Sequence, residues 1–158
     1  MDTDAPGVAL HGRAVDVAIA MGATGIVGDG AGTLAFLGSI VVPGGEVVFG
    51  DGFWAAPAPA TALAAFGMTR DELPDGLDGF AALGRRAGLE PLTVEAVSPA
   101  EWDAYERAYR DAVAEWVASA QGDVEREAFV RRSAGMTASY EAWRRDAMGF
   151  AIGRFRRP

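Results

Sequence analysis

The residues best suited to chemistry form a short run, Gly50-Asp51-Gly52-Phe53-Trp54. It follows the apolar segment Glu46 to Phe49, which predicts a buried strand, and we expect the run to be a flexible loop. Flanking glycines let a ligand approach a carboxylate closely, so Asp51 can act as a general base or bind an amine or hydroxyl. The alternative is a solvated carboxylate, with Trp54 packed on the next helix. Two aromatic side chains are costly to expose, which keeps the functional interpretation open.

A second candidate is the glycine-rich run Gly28-Asp29-Gly30-Ala31-Gly32. It precedes a helical pattern, and Asp51 follows at the spacing of a ribose-binding acid in a dinucleotide fingerprint. That fingerprint requires a strand to lead directly into the first glycine. Here Met21 to Val27 intervenes, which favours an ordinary glycine-rich loop. A nucleotide site is the weaker alternative.

Composition narrows the possible functions. The 158 residues carry a formal net charge of -8, which argues against nucleic acid as the main partner. There is no cysteine and a single histidine, His11, so we expect neither disulfides nor a cysteine- or histidine-based metal site. Met1 to Asp4 is acidic where a secretory signal needs positive charge, and the apolar run Ala14 to Val27 is too short and too interrupted for a membrane span. The cytoplasm is the expected compartment.

The elements that position these residues follow an α/β pattern. Strands are predicted at 14–20, 46–49, 89–97 and 149–155, and helices at 33–40, 60–66, 75–87, 98–120 and 124–148. Loops are predicted for 1–13 and 21–32, and Pro43-Gly44-Gly45 is predicted to be a tight turn. Capping boxes begin at Thr69 and Ser98, and Gly67 and Gly88 are expected helix ends. Helix, glycine and strand recur in that order, which favours βαβ architecture.

The predicted helix at 98–120 carries one aromatic face. Its residues recur at helical spacing: Trp102, Tyr105, Tyr109, Val113 and Trp116. Such a stripe is usually buried against the protein, although these side chains can also line a substrate pocket. The pairs Arg131-Arg132 and Arg144-Arg145 are interpreted as solvated helix faces.

Four ordered blocks resemble class I S-adenosylmethionine-dependent methyltransferases. Asp16 to Ala23 is similar to the family's fourth strand, and Pro43 to Trp54 to the passage into its fifth strand. Ala87 to Leu92 is similar to the turn into the sixth strand. Met148 to Gly153 is similar to the last, antiparallel strand. The order and spacing fit nearly all of residues 14–157.

The resemblance implies a partial Rossmann-like methyltransferase sheet, with helices on both faces. The strand order would be fourth, fifth, seventh and sixth, with the last strand antiparallel. Residues 1–158 would form a single domain, in which two helices at about 98–148 are inserted before the final strand and cover the substrate side. The cofactor would be S-adenosylmethionine, lying beside Met21, Gly22 and Ala23. Asp51, Phe53 and Trp54 would face the methyl acceptor, and the aromatic helix would add Trp102 and Tyr105.

The chain departs from the family at its start. Such enzymes begin with a strand, a glycine-rich cofactor loop and a second strand ending in an acid, and nothing before Ala14 matches these. The strand at 14–20 would therefore expose an apolar edge able to pair with another chain. We expect a C-terminal portion or truncated product that self-associates or is complemented by a second chain through this edge.

Two functional hypotheses follow. The first is a methyltransferase acting on a small molecule, with Asp51 as base or acceptor-orienting group; methyl transfer depends mainly on aligning donor and acceptor. The second is a non-catalytic module of the same fold that binds a ligand or partner.

Overall fold

The computed structural model describes residues 14–23, 27–120 and 122–158. The predicted N-terminal loop with His11, and Gln121, lie outside this part. The strands are β1 (Val15–Met21), β2 (Val41–Trp54), β3 (Glu90–Ala96) and β4 (Met148–Arg156). The helices are α1 (Gly30–Ile40), α2 (Ala60–Phe66), α3 (Gly76–Arg86), α4 (Pro99–Ser119), α5 (Arg126–Ser139) and the short α6 (Arg145–Ala147). A 3-10 turn, Arg70–Glu72, precedes α3, and a π turn, Tyr140–Arg144, joins α5 to α6.

The described strands form one sheet in the order β1-β2-β4-β3. β1 and β2 are parallel, and β4 is antiparallel to both β2 and β3. This mixed α/β sheet, with its last strand antiparallel between two parallel ones, confirms the expected fold class. The carboxyl ends of β1, β2 and β3 therefore lie at the same end of the sheet.

The core lies on one face of this sheet, beneath α1 and α3. Phe49 of β2 stacks on Phe80 of α3, with ring centroids 5.5 Å apart. Phe155 of β4 is fully buried, and a Cβ at Gly84 or Gly153 would overlap its ring. These two glycines therefore make the space in which β4 closes the core.

The opposite face remains largely uncovered in the described chain, unlike the two covered faces that the resemblance implied. Val17, Ile19 and Met21 of β1 are 51%, 65% and 47% exposed there. The cause is topological. The β1–α1–β2 and β2–α3–β3 connections both progress in the same direction across the sheet, and right-handed crossovers then place both helices on the same face.

The two edges of the sheet differ in their protection. β3 carries Glu90, Pro91 and Glu95, and its register with β4 shifts between Pro91 and Thr93. Charge, proline and irregular register all discourage pairing with another strand. β1 carries one charged residue, Asp16, and no proline, so among the described strands its edge has less of this protection.

β2 is longer than the predicted strand at 46–49, and the expected tight turn at Pro43-Gly44-Gly45 lies inside it. Gly44 adopts a φ of 81° and its N–H donates to Arg157 O at 2.8 Å, while Arg157 N–H donates to Gly45 O at 2.9 Å. The turn sequence is therefore paired along the sheet rather than folded back. The register with β1 shifts here, between Val15 and Val17.

Helices α4 and α5, with the π turn that follows α5, form a unit that we call the helical pair. Its structure differs from two expectations. The predicted helix at 124–148 is interrupted by the π turn, and Met148 already belongs to β4. The aromatic stripe of α4 is only partly covered: Trp102 packs near Tyr140, while Tyr105 remains 67% exposed. The stripe therefore does not form a buried core as its spacing favoured.

Candidate functional site

A cleft of about 990 Å³ opens at the carboxyl end of β2. This volume is in the range of small-molecule sites, and the end of a parallel strand is where open α/β sheets bind ligands. One wall is the start of α1, a second is the segment from Arg70 to Asp75, and a third is α3. Its charged lining residues are Asp29, Asp51, Arg70, Asp71, Glu72, Asp75 and Arg86, so carboxylates predominate.

Asp51 is the carboxylate on the sheet side of this cleft. The expected flexible loop is not present, because β2 continues in register with β4 from Asp51↔Ala151 to Trp54↔Met148. The Gly52 N–H donates to Asp51 Oδ1 at 2.7 Å. Partial burial raises the pKa of Asp51 above its ordinary value, and the hydrogen bond from Gly52 opposes that shift. A rigid carboxylate with a raised pKa is suited to accept or share a proton at near-neutral pH.

The glycine-rich run forms the start of α1 rather than a free loop. Asp29 caps this helix: its Oδ1 accepts from Gly32 N–H at 2.7 Å, and its carbonyl accepts from Thr33 N–H at 2.9 Å. An anion at a helix start needs free N–H groups, and here the Asp29 carboxylate already accepts from that of Gly32. This geometry is unfavourable for phosphate and weakens the nucleotide-site interpretation.

The wall opposite Asp51 is tied to the end of β2 through Trp54. The Trp54 indole Nε1 donates to Arg70 O at 2.7 Å, and its backbone N–H donates to Pro74 O at 2.8 Å. The Arg70 guanidinium lies 5.0 Å from the Trp54 ring centroid and pairs with Asp75. The predicted capping box at Thr69 is present and closes the 3-10 turn. These contacts tie the segment from Arg70 to Asp75 to the end of β2.

The other predicted site residues lie in different places. Phe53 and Trp54 are buried and support the cleft without lining it. Met21, Gly22 and Ala23 follow β1 at the same sheet end, where Gly22 N–H donates to Gly50 O at 2.8 Å. The Met21 sulfur fills the space beside Gly50, which alternates with Asp51 along β2, so Met21 lies on the other face of the sheet.

Trp102 and Tyr105 belong to the helical pair and do not line the cleft. The Trp102 Nε1 donates to Glu106 Oε1 at 3.4 Å, and the Trp102 ring centroid lies 6.2 Å from that of Tyr140. The structure therefore brings Asp51 and the end of β1 to the same end of the sheet and leaves these two aromatic residues elsewhere. Their substrate-binding role stays a prediction.

Sequence reasoning missed Arg144, which was interpreted as part of a solvated pair. Arg144 is buried, whereas Arg145 is half exposed and makes two 2.8 Å hydrogen bonds to Asp103. No sequence signal separated the two arginines, because both belonged to a continuous predicted helix. The π turn changes the phase of that helix and turns Arg144 inward.

Among the described residues, no group of three or more histidine, cysteine, aspartate or glutamate side chains is arranged to hold a metal ion. Similarly, none of the described helices combines the length and apolarity needed to cross a membrane.

Comparison with solved structures gives strong matches. A methyltransferase from Thiobacillus denitrificans, solved with S-adenosyl-L-homocysteine, is 25% identical in sequence and superposes with a TM-score of 0.76. The match covers 93% of this chain and 60% of the methyltransferase chain. A methyltransferase from Geobacter sulfurreducens, solved with the same ligand, is 21% identical with a TM-score of 0.78, covering 93% and 59%. This chain has the fold of the S-adenosylmethionine-dependent methyltransferases. YjhP from E. coli is 22% identical with a TM-score of 0.80, covering 93% and 60%.

The methyltransferase fold is present here in part. The chain spans about three-fifths of the length of these solved structures. No protein-family model and no curated protein matches the sequence. The likeness is therefore carried by the fold.

Proposed function

We propose that this chain takes part in S-adenosylmethionine-dependent methyl transfer to a small-molecule acceptor, with Asp51 as the base or acceptor-orienting group. The observation that carries the proposal is Asp51 itself, a rigid carboxylate in a cleft at the carboxyl end of β2, on a methyltransferase fold. The cleft volume of about 990 Å³ suits a small molecule.

The cofactor would lie beside Met21, Gly22 and Ala23. Gly22 adopts a φ of 61°, and a Cβ added there would meet no described atom within 4 Å, so a ligand can approach the backbone at this position. These residues fit one wall of a cofactor site. When bound, the cofactor supplies an electrophilic methyl group; the chain's own contribution is to position the acceptor.

Asp51 would hold the acceptor hydroxyl or amine and take its proton as the nucleophile reacts. The raised pKa of Asp51 brings its proton affinity closer to neutral pH, which helps proton transfer. Because β2 is paired through Trp54, the carboxylate is held in place before the acceptor binds.

The test is calorimetric titration of this chain with S-adenosylmethionine. Gly22→Val places a branched side chain at a left-handed backbone position and should weaken binding. Gly122→Val is a matched control, since Gly122 also has a positive φ and open surroundings but lies between α4 and α5. Asp51→Asn should preserve cofactor binding and lower methyl transfer. If the wild-type chain does not bind the cofactor, catalysis by this chain alone is refuted.

Gly30→Val addresses the nucleotide-site alternative within the same titration. Under the main proposal the variant should bind S-adenosylmethionine as the wild type does. Loss of binding in a folded Gly30→Val protein would favour the glycine-rich run as the cofactor site.

The second candidate is a non-catalytic module that binds a ligand or partner, or that is completed by another polypeptide. The exposed β1 favours it, because one strand combines an unprotected edge with the exposed side chains of Val17, Ile19 and Met21. A parallel strand is normally covered on both faces. We propose that this edge, around residues 14–20, mediates self-association or pairing with a complementing chain.

Sedimentation velocity over a range of concentrations tests this assembly. Wild-type protein should self-associate, or form a stable complex when a complementing chain is added. Ile19→Lys should abolish this, whereas Thr93→Lys on the β3 edge should not. If the protein stays monomeric at every concentration and binds the cofactor, the methyltransferase proposal is favoured and the binding-module proposal is contradicted.

The expected cytoplasmic location and the exclusion of nucleic acid stay predictions.

A further inference from the structure

The helical pair contains a buried cation, two of whose three nitrogen atoms make no hydrogen bond in the described structure. Arg144 is 9% exposed, and its Nε and Nη1 atoms are inaccessible to solvent and have no hydrogen-bond partner among the described residues. Its guanidinium lies 5.4 Å from the ring centroid of Phe66 in α2. Burial lowers the pKa of Arg144, but a guanidinium keeps its charge in proteins. A buried ion with unpaired N–H groups is costly, so such a group indicates a missing partner.

The nearest buried countercharge does not fill this role. Glu106 of α4 is buried and its charge favours the protonated form of Arg144, yet the two side chains form no ion pair within 4.0 Å in the described structure. Glu106 Oε1 instead accepts a 3.4 Å hydrogen bond from Trp102. The charge of Glu106 thus partly balances that of the Arg144 guanidinium. The Nε–H and Nη1–H groups of Arg144 still have no hydrogen-bond partner in the described structure.

The position of Arg144 links the helical pair to the sheet. It is the last residue of the π turn, a helix irregularity often found at functional sites. Ala147, three residues later, accepts hydrogen bonds of 3.0 and 3.2 Å from the N–H groups of Ala55 and Ala56, directly after β2. The π turn that carries Arg144 therefore leads directly into the contact with the residues that follow β2.

We propose that Arg144 binds the carboxylate or phosphate group of a small molecule that enters between α2 and the π turn. An edge-on contact between Phe66 and Trp143, with centroids 5.8 Å apart, closes this seam. Aromatic rings can part and repack around a ligand without breaking hydrogen bonds. The Nε–H or Nη1–H group then donates a charge-assisted hydrogen bond to an oxygen atom of the anion. This site does not depend on the methyl-transfer proposal, because no cofactor contact enters the argument.

The experiment is titration of the full chain with inorganic phosphate and, separately, with acetate, followed by calorimetry and tryptophan fluorescence. The wild type should bind at least one of the two anions, and the stronger one identifies the class. Arg144→Gln should weaken binding by about tenfold or more, since hydrogen bonds between charged groups contribute on that scale. Arg131→Gln is the matched control: it removes the same charge from an exposed arginine of α5 and should leave binding unchanged.

A second measurement keeps the test decisive if Arg144→Gln fails to fold. In the wild-type protein, the nitrogen resonance of the Arg144 Nε–H group should shift on anion addition, while that of Arg131 should not. The proposal is overturned if neither anion binds. It is also overturned if Arg144→Gln binds as well as wild type, or if the Arg144 resonance stays unchanged at saturation. Failure here would leave the cofactor titration unaffected.

Discussion

The indole Nε1 of Trp54 donates a 2.7 Å hydrogen bond to the carbonyl oxygen of Arg70, and the Arg70 guanidinium lies 5.0 Å from the centroid of the same ring. One aromatic side chain at the end of β2 is therefore bound at its edge and at its face by one residue of the opposite cleft wall. The width of the cleft beside Asp51 depends on this relationship.

Trp54→Phe keeps an aromatic ring and removes the indole donor. We expect the free energy of unfolding to fall by about 1–2 kcal/mol, from the lost hydrogen bond and the weaker cation–π contact. Urea denaturation followed by circular dichroism measures the change. Trp116→Phe is the control, because Trp116 is partly exposed on α4 and packs on Phe129. An equal loss in both variants would contradict the role assigned to Trp54.

Gly84→Ala tests the closure of the core by β4. The added Cβ would overlap the buried ring of Phe155, so we expect a loss of stability of about 1–3 kcal/mol or more. Gly135→Ala is the matched change on α5, where nothing lies within 4 Å of the added Cβ. It should raise stability by up to about 1 kcal/mol, since alanine favours a helix over glycine. Thermal unfolding that ranks the two variants in the opposite order would refute this packing.

Asp51→Asn should stabilise the protein at neutral pH while impairing its function. Burial raises the pKa of Asp51 in the folded protein, so the charged form is disfavoured there relative to the unfolded chain. The associated stability is fully present below the unfolded pKa of about 3.9 and is lost as pH rises. The advantage of the amide should therefore appear at pH 7 and vanish at low pH. Asp111→Asn, on the exposed surface of α4, is the matched surface change for the same measurement.

Asp103→Asn should reduce the fall in the free energy of unfolding that accompanies a fall in pH below about 4. Hydrogen bonds from Arg145 and then from Tyr140 hold the pKa of Asp103 well below its ordinary value. A lowered folded pKa contributes stability above the unfolded pKa of about 3.9 and loses it as pH falls below that value. Chemical denaturation between pH 2 and 7 measures the difference. Asp146→Asn is the control, because Asp146 lies 3.9 Å from Arg145 without a hydrogen bond, and its replacement leaves the Asp103–Arg145 pair intact.

Much of the fold could be predicted because its signals are local. The left-handed Gly67 ends α2, and Ser98 with Glu101 forms the capping box that starts α4, both as their sequences predicted. The order of the strands required the family resemblance, since β4 pairs with β2 across about 100 residues and no local pattern encodes that partner.

The errors occurred where a distant contact overrides a local preference. Pro43-Gly44-Gly45 has a turn sequence, yet its backbone pairs with Arg157 from the far end of the chain. Asp51 sits between two glycines, yet the ladder with β4 makes it rigid. Arg144 differs from Arg145 only through the π turn, which depends on how the helical pair meets the sheet.

The central position of β4 has a consequence for the order in which the chain can fold during synthesis. β4 separates β2 from β3, so these strands cannot join into one sheet until Met148–Arg156 has emerged from the ribosome. Before that, β2 has no partner strand on the side that β4 will occupy, and the space beside Gly84 that the Phe155 ring fills is empty. Completion of the described sheet must therefore wait for β4, and a nascent chain paused before residue 148 leaves β2 exposed to chaperones and to neighbouring chains.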